Sequence, residues 1–156
     1  MLKLRIIAIG DKMPAWVSSA FSEYEKRVRG RFTMNLIEIA AERRGNTADI
    51  KKVLRREEDR IRRSIGSDSI VVALDRTGRE LSTTQIADEI NIWLMDSRDI
   101  CFIIGGPEGL SKDFMQSSDR VWSFSKMTMA HPIARVVLAE QLYRCCSILD
   151  GLPYHR

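Results

Sequence analysis

Three short, nearly continuous apolar runs constrain the fold of this 156-residue chain more than any other feature of its sequence. They lie at residues 4–9, 69–74 and 100–104, and each is rich in isoleucine or valine. A strand that is apolar on both faces must be covered on both faces, as strands are inside a parallel sheet. The runs therefore predict a parallel sheet with helices on each side.

Further strands and helices are predicted between and after these runs. Weaker strand patterns occupy residues 32–39 and 121–124, and apolar side chains recur at helical spacing over 17–28, 50–65, 86–94 and 133–149. Strands that alternate with helices require crossover connections, which favours an α/β fold. At this length one core is expected, so residues 1–156 are predicted to form a single domain.

Several residues mark the predicted helix ends. Pro14 and Pro132 stand near the first positions of the first and last helices, where proline is well tolerated. Ser82 and Gln85 have the spacing of a capping box. Gly66 follows the second helix, where a residue in the left-handed conformation can end it.

Neither a metal site nor a membrane partner is expected from the composition. The cysteines are Cys101 and the adjacent pair Cys145 and Cys146, a spacing unsuited to a disulfide framework or a tetrahedral zinc site. The first residues lack the features of a signal peptide, and no apolar run approaches the length of a membrane span. These observations favour a reducing cytoplasm.

Positive charge is concentrated in one segment. The chain carries a formal net charge of +4, whereas residues 43–63 alone hold nine Lys and Arg against four Asp and Glu. Two interpretations stay open at this point. The segment is either a solvated helix face with internal ion pairs or a surface that faces RNA.

A glycine-rich loop follows the third apolar run. Residues 103–110 read IIGGPEGL, which places three glycines at the carboxyl edge of the predicted sheet, where open α/β sheets bind ligands. Glycine there lets a ligand approach the backbone closely, although an ordinary tight turn would have the same composition. The spacing matches neither the dinucleotide-binding fingerprint nor the phosphate-binding P-loop.

Charged side chains pair along the last predicted helix. His131 with Arg135, and Glu140 with Arg144, stand four residues apart and so share a helix face, as simple ion pairs also do. The two arginines are nine residues apart, which puts them on opposite sides of a straight helix. If both serve one kind of site, one of them must serve a neighbouring subunit. The residues after 150, taken alone, predict a frayed terminus.

Several separate motifs in one order resemble a known enzyme family. They are RIIAIGDKMPAWV at 5–17, ERRGNTADIKK at 42–52, IIGGPEGL at 103–110, SFSKMTMAHPIARVVLAEQLYR at 123–144 and PYHR at 153–156. Along nearly its full length the chain resembles the RlmH family of SPOUT methyltransferases. The order, spacing and total length together are far more specific than a single glycine loop.

The resemblance implies a parallel-sheet sandwich whose carboxyl-terminal segment forms a deep trefoil knot, which the residue patterns alone do not predict. It also implies S-adenosylmethionine as the cofactor and a homodimer as the working form. Carried over by position, the cofactor site comprises Leu74, Gly105, Phe124, Ser125, Lys126, Met127, Thr128 and Met129.

The reaction that the resemblance implies is methylation of N3 of a pseudouridine in the helix 69 loop of 23S rRNA. That nitrogen is a poor nucleophile until its proton leaves, so the site needs a base, a solvent path for the proton or a stabilising cation. The candidate residues are His131, Arg135, Arg144, Tyr154 and His155. Of the two histidines, His155 ranks first as base, and Tyr154 is expected to stack on the target base. In this family the tail of one subunit completes the partner's site.

The expected substrate is the intact ribosome, with residues 43–63 as a docking face, because the chain shows no pattern of an appended RNA-binding domain. DNA is not an expected partner. Two rival functions stay open. One is a SPOUT methyltransferase with another target, such as a transfer RNA uridine, and the other is a catalytically idle module that binds ribosomes through the same basic surface.

Overall fold

The computed structural model describes residues 1–45 and 49–155, and the described chain forms a five-stranded sheet with helices between its strands. The strands are β1 Leu2–Ile9, β2 Phe32–Ile39, β3 Ile70–Glu80, β4 Ile100–Ile104 and β5 Arg120–Ser123. The helices are α1 Ala15–Arg27, α2 Ile50–Ser64, α3 Thr83–Met95, α4 Lys112–Ser117 and α5 His131–Leu149, with a 3-10 turn at Pro153–His155. Residues 46–48 of the ERRGNTADIKK motif and residue 156 of the PYHR motif lie outside the described residues.

The sheet has the strand order β2-β1-β4-β3-β5, and every neighbouring pair is parallel. The predicted parallel α/β sandwich is therefore confirmed. Connections through α1 and α3 move one way across the sheet, whereas those through α2 and α4 move the other way. Right-handed crossovers then require the two helix pairs to lie on opposite faces. The trefoil knot stays a prediction from the family resemblance.

The apolar side chains divide into two clusters, one on each face of the sheet. Along β1, Leu4 and Ile6 point to the face covered by α1, α3 and α5, while Ile7 and Ile9 point to the face covered by α2 and α4. Every residue of β4, in the middle of the sheet, is buried. Because helices cover both faces of these strands, successive residues can all be apolar, which explains the continuous apolar runs in the sequence.

Strand β3 is longer than the predicted run, which ended at residue 74. Leu74 and Arg79 both pair with Trp122 of β5, so the intervening residues bulge out before pairing resumes. Gly78 permits the close approach, since a Cβ there would lie 2.6 Å from the backbone carbonyl carbon of Trp122. Strand β5 ends at Ser123, which leaves Phe124 in the following segment rather than in the predicted strand.

Two helix ends differ from the prediction. Gly66 does not have the left-handed conformation expected after α2, because Ile65 already ends the helix with an extended backbone. A Cβ there would lie 2.8 Å from Ser69 Oγ, so a side chain at this position would require the Ser69 side chain to move. The capping box at Ser82 and Gln85 is confirmed, with both reciprocal hydrogen bonds formed. Helix α4 was not predicted. It has six residues and buries only one of them, Phe114, so its sequence is too short to show a helical repeat of apolar residues.

Two adjacent buried carboxylates on α2 hold the loops that follow β2 and β4. Glu57 accepts the backbone N–H of Glu42 at 3.0 Å and contacts the guanidinium of Arg44 at 3.2 Å. Glu58 accepts the N–H and the hydroxyl of Ser111, at 2.7 and 2.6 Å. Both loops lie at the carboxyl edge of the sheet, so α2 is bound to that edge at two points.

A fully buried arginine fixes the last helix to the sheet. Arg135 of α5 is 0% exposed, and its guanidinium donates to Glu38 Oε2 at 2.7 Å, to the Gly10 carbonyl at 2.6 Å and to the Ile9 carbonyl at 3.2 Å. These acceptors lie at the carboxyl ends of β1 and β2. A buried guanidinium is tolerated because most of its donors have partners.

Among the described residues, no helix combines the length and the apolar composition needed to cross a membrane.

We expect Arg135→Met to lower the free energy of unfolding by about 3 kcal/mol, because it leaves a carboxylate and two carbonyls without their donor. The matched control is Arg144→Met on the same helix, where a partly exposed pair with Glu140 and a cation–π contact with Tyr154 each contribute about 1 kcal/mol or less. Urea unfolding followed by circular dichroism measures both. Equal losses in the two variants would contradict the anchoring role of Arg135.

Candidate active site

A cavity of about 550 Å³ opens where β4 and β5 end, beside the start of the bulge in β3 at residues 74–76. Because the strands are parallel, their carboxyl ends share one edge of the sheet, and the segments that follow them wall the cavity. The lining residues are Leu74, Asp75, Arg76, Ile104, Gly105, Gly106, Pro107, Glu108, Gly109, Ser123, Phe124, Ser125, Met127, Thr128, Met129, Ala130, His131 and Ala134. The volume is that of a site for a small organic molecule.

The glycine loop is a tight turn that also forms one wall of the cavity, so the two sequence interpretations are compatible. The N–H of Gly109 donates to the Gly106 carbonyl at 2.9 Å, and Gly109 has a φ of +70°. A Cβ at Gly105 would lie 2.6 Å from the carbonyl oxygen of Gly109. Only glycine at 105 therefore allows the turn to close in this form.

The opposite wall is the irregular segment from residue 124 to residue 130, between β5 and α5. Hydrogen bonds of Ser123, at the end of β5, and of Ser125 fix the backbone of this segment. Ser123 Oγ donates to the Ser125 carbonyl at 2.9 Å, and Ser125 Oγ accepts the N–H of Met127 at 3.0 Å. Local hydrogen bonds of this kind fix backbone that has no helix or sheet ladder.

Seven of the eight positions expected at the cofactor site line this cavity, and Lys126 is the exception. The cavity also brings in charged side chains that the sequence analysis did not include, namely Asp75, Arg76 and Glu108. Asp75 is held by the backbone N–H and hydroxyl of Thr77. Its position directly after an apolar strand run was the signal that could have identified it, because the strand's carboxyl end is where ligands bind.

His131 begins α5 and lines the cavity beside Ala130. Burial lowers the pKa of its imidazole below the usual 6.5, and the nearby positive charge of Arg135 lowers it further. The imidazole is therefore neutral at pH 7. Its buried Nδ1 has no hydrogen-bond partner among the described residues.

The structure gives Arg135 an internal role. Its complete burial and its bonds to Glu38, Ile9 and Gly10 leave no surface for the direct contact with substrate that its place in the sequence suggests. Arg135 instead positions the start of α5 and adds to the effect of burial, which lowers the pKa of His131.

The remaining candidates lie at the other end of α5. Arg144 follows His131 by thirteen positions, roughly 20 Å along the helix axis. Tyr154 and His155 lie beside this distal end, where the Tyr154 hydroxyl donates to Glu140 Oε1 at 3.1 Å. Within one subunit, the five catalytic candidates therefore form two separate groups.

The tail is ordered through residue 155, so the frayed terminus expected from composition is wrong for this part. Gly151, with a φ of +69°, turns the chain back, and Leu152 donates its N–H to the Ser147 carbonyl at 2.8 Å. Burial and the bond to Glu140 raise the pKa of Tyr154 to about 12. Its phenol stays protonated and remains a donor.

The ion-pair interpretation of the basic segment holds for part of it, whereas the RNA-facing surface stays a prediction. Arg44 pairs with Glu57, and Arg56 and Arg60 pair with Glu42 at 3.2 and 2.6 Å. Exposed side chains without an ion pair among the described residues nevertheless extend along α2. They are Lys51, Lys52, Arg55, Arg62 and Arg63. No group of three His, Cys, Asp or Glu that could hold a metal ion occurs within residues 1–45 and 49–155.

Comparisons with known proteins agree with this architecture. Residues 2–155 match the model of a family described as "Predicted SPOUT methyltransferase". The chain is 43% identical over 155 residues to "Ribosomal RNA large subunit methyltransferase H" of Thioalkalivibrio sulfidiphilus, covering 99% of each chain. It is 41% identical over 155 residues to the protein of the same name from Marinomonas sp., covering 99% of this chain and 100% of that one.

A solved structure supports the fold independently. A "Probable Methyltransferase" from Bordetella pertussis Tohama I superposes with a TM-score of 0.62 at 14% sequence identity. The alignment covers 93% of this chain and 96% of that one. At so low an identity the similarity concerns the fold alone.

We expect the imidazole of His131 to titrate below pH 6.5, because burial and Arg135 disfavour its charged form. The His155→Gln variant leaves a single histidine, so the Hε1 signal in an NMR titration reports His131 directly. In the unfolded chain His131 has its ordinary pKa, so its imidazole binds a proton more readily than in the folded protein. The free energy of unfolding should therefore fall as pH drops from above 6.5 to the folded pKa, and His131→Gln should lessen that fall. A midpoint at or above 6.5 would show that the cavity does not exclude the charged imidazole.

Proposed function

Since this chain belongs to the SPOUT methyltransferase family, we propose that it transfers a methyl group from S-adenosylmethionine to N3 of a pseudouridine in 23S rRNA. The proposed target lies in the helix 69 loop and is methylated on the assembled ribosome, in the cytoplasm. The observation that carries the proposal is the cavity walled by the glycine loop and residues 124–130. Relatives at 41–43% identity along the full chain bear the name of a large-subunit ribosomal RNA methyltransferase, which supports the substrate class.

The cavity fits the cofactor in size and in chemistry. Its volume of about 550 Å³ suits a nucleoside with a short amino-acid chain. The apolar side chains of Leu74, Met127 and Met129 suit an adenine ring, and the backbone beside them supplies hydrogen-bonding groups for the ring edge. The carboxylates of Asp75 and Glu108 are suited to hydroxyl and ammonium groups.

When bound, S-adenosylmethionine would supply a methyl group on a sulfonium, with a neutral thioether as the leaving group when the new N–C bond forms. The protein must remove the proton from N3 and stabilise the negative charge left on the ring. His131 is neutral at the cavity wall and can accept a hydrogen bond. Helix α5 begins there without a side-chain cap, so its first N–H groups favour negative charge nearby.

We infer that the working form is a homodimer. The Tyr154 hydroxyl binds Glu140, which follows His131 by nine positions or roughly 14 Å along α5, so the tail lies beyond direct contact with the cavity wall at His131. A two-fold dimer brings the tail of each subunit to the partner's cavity. Such an arrangement unites the two groups of catalytic candidates and agrees with the family resemblance.

The exposed basic side chains of α2 form the proposed docking face for the ribosome. Phosphate contacts of this kind give affinity and orientation, whereas base contacts at the cavity select the nucleotide. Because Glu57 and Glu58 bind α2 to the loops beside the cavity, docking through α2 would orient the cavity on the RNA.

We expect the protein to transfer radiolabelled methyl from S-adenosylmethionine to ribosomes that lack the modification, and not to free rRNA. Gly105→Ala should abolish the transfer and weaken cofactor binding by calorimetry, because its methyl group would overlap the Gly109 carbonyl. Gly45→Ala is the matched control, since a Cβ there meets no atom of the described residues within 4 Å. Mapping the labelled nucleotide tests the target.

Label at another nucleotide would support the methyltransferase activity and refute the helix 69 target. Cofactor binding without any transfer would favour a binding module. An active Gly105→Ala protein would refute the assignment of the cavity.

We expect two inactive variants to complement each other if tails act on partner cavities. A Gly105→Ala subunit has an intact tail, and a His155→Ala subunit has an intact cavity. Refolded together in equal amounts, they should recover about a quarter of the wild-type activity, because half of the dimers carry one complete site. The separately refolded variants are the control, and absence of recovery in confirmed mixed dimers would contradict the shared site.

A further inference from the structure

The carboxylate of Glu140, in the distal half of α5, binds the carboxyl-terminal tail. Glu140 Oε1 accepts from Arg144 Nε at 3.0 Å, from Arg144 Nη2 at 2.5 Å and from the Tyr154 hydroxyl at 3.1 Å. Its other oxygen accepts from Gln141 at 2.8 Å. Both oxygens of Glu140 thus have donors, and the carboxylate binds a residue fourteen positions away.

The ring of Tyr154 is engaged as well. The guanidinium carbon of Arg144 lies 4.8 Å from the ring centroid, and the ring of Tyr143 lies at 4.5 Å with an interplanar angle of 56°. Cation–π and tilted aromatic contacts each stabilise such an arrangement by about 0.5–1 kcal/mol. An RNA base could stack on Tyr154 only in competition with these contacts, which weakens the stacking role expected from the sequence.

The tail has a second attachment where it leaves α5. Arg31 donates to Asp150 Oδ1 at 2.9 Å and to the Leu149 carbonyl at 2.8 Å. The chain between Asp150 and Tyr154 is therefore held at both ends, and Gly151 sets the turn between them.

His155 is the tail residue whose side chain remains free to contact a substrate. It is exposed, and its Nδ1 lies 3.0 Å from the Leu152 carbonyl oxygen. A carbonyl only accepts hydrogen bonds, so Nδ1 must carry the hydrogen when this bond forms. The neutral imidazole then has its lone pair on Nε2, which is the nitrogen able to take up a proton.

We propose that Glu140 is a positioning residue that clamps Tyr154 against Arg144 and Tyr143, so that the tail presents Nε2 of His155, and not the Tyr154 ring, to the reacting site. The inference rests on the proposed function for what His155 does, but the clamp itself is a property of the free protein. Tyr154 and Glu140 then act through His155.

The tautomer of His155 tests the clamp without any activity measurement. In a His131→Gln background, long-range 1H–15N NMR should show His155 with its hydrogen on Nδ1. Glu140→Ala and Tyr154→Phe should each shift it toward the Nε2–H form that is usual in unconstrained histidine. Glu89→Ala is the matched control, because it removes a carboxylate that pairs with Arg120 at 3.4 Å, far from the tail. An unchanged tautomer in both clamp variants would overturn the proposal.

Methyl-transfer kinetics separate the clamp from stacking. Tyr154→Phe retains the ring and loses only the hydroxyl. We expect it to lower kcat about tenfold, because that is the effect of losing one hydrogen bond to a charged group. KM for S-adenosylmethionine should not change, because the cavity is intact. Glu140→Ala should lower kcat similarly, and the double variant should lose no more than either single one.

A fully active Tyr154→Phe protein beside an inactive Tyr154→Leu protein would instead establish stacking and overturn the clamp. Glu140→Gln keeps an acceptor for Tyr154 and should recover part of the activity, which guards against misfolding of Glu140→Ala. If the wild-type protein transfers no methyl to ribosomes, the proposed function fails while the NMR result still decides the clamp.

Discussion

A guanidinium without solvent exposure attaches the start of the last helix to the sheet, and the arrangement of the site depends on this attachment. Arg135 joins α5 to the carboxyl ends of β1 and β2 through a carboxylate and two carbonyls. The start of α5 is thereby placed at the cavity wall, and the positive charge of Arg135 helps to keep His131 neutral. The same attachment determines where the far end of α5, with the tail, must lie.

The sequence was most informative where burial leaves little choice. Strands β1 and β4 are covered on both faces, so their composition reveals them, and the glycine loop after β4 marks the cavity. Prediction failed where structure depends on distant partners. The extension of β3 needs Trp122, and the order of the tail needs Glu140 and Arg31. Arginine is usually a surface residue, so composition could not indicate that Arg135 lies inside.

Helix α5 also acts as a spacer between the two halves of the candidate site. One end carries His131 at the cavity, and the other carries the clamp of Glu140, Arg144 and Tyr154. In the proposed homodimer this spacing would link activity to assembly, because each complete site would draw on both subunits. The knotted threading implied by the family would add a topological restraint to the segment that joins β5 to α5.

The strand order has a consequence for how the chain reaches this fold. Strand β4 lies between β1 and β3, yet it is the fourth strand to be synthesised. Until residues 100–104 are available, β1 and β3 have no common neighbour, and the backbone N–H and C=O groups on the edges that β4 will join have no pairing partner. Contacts between segments so far apart in the chain form slowly. A nascent chain therefore carries exposed strand edges through most of its synthesis, and chaperones that bind such edges would act before β4 emerges.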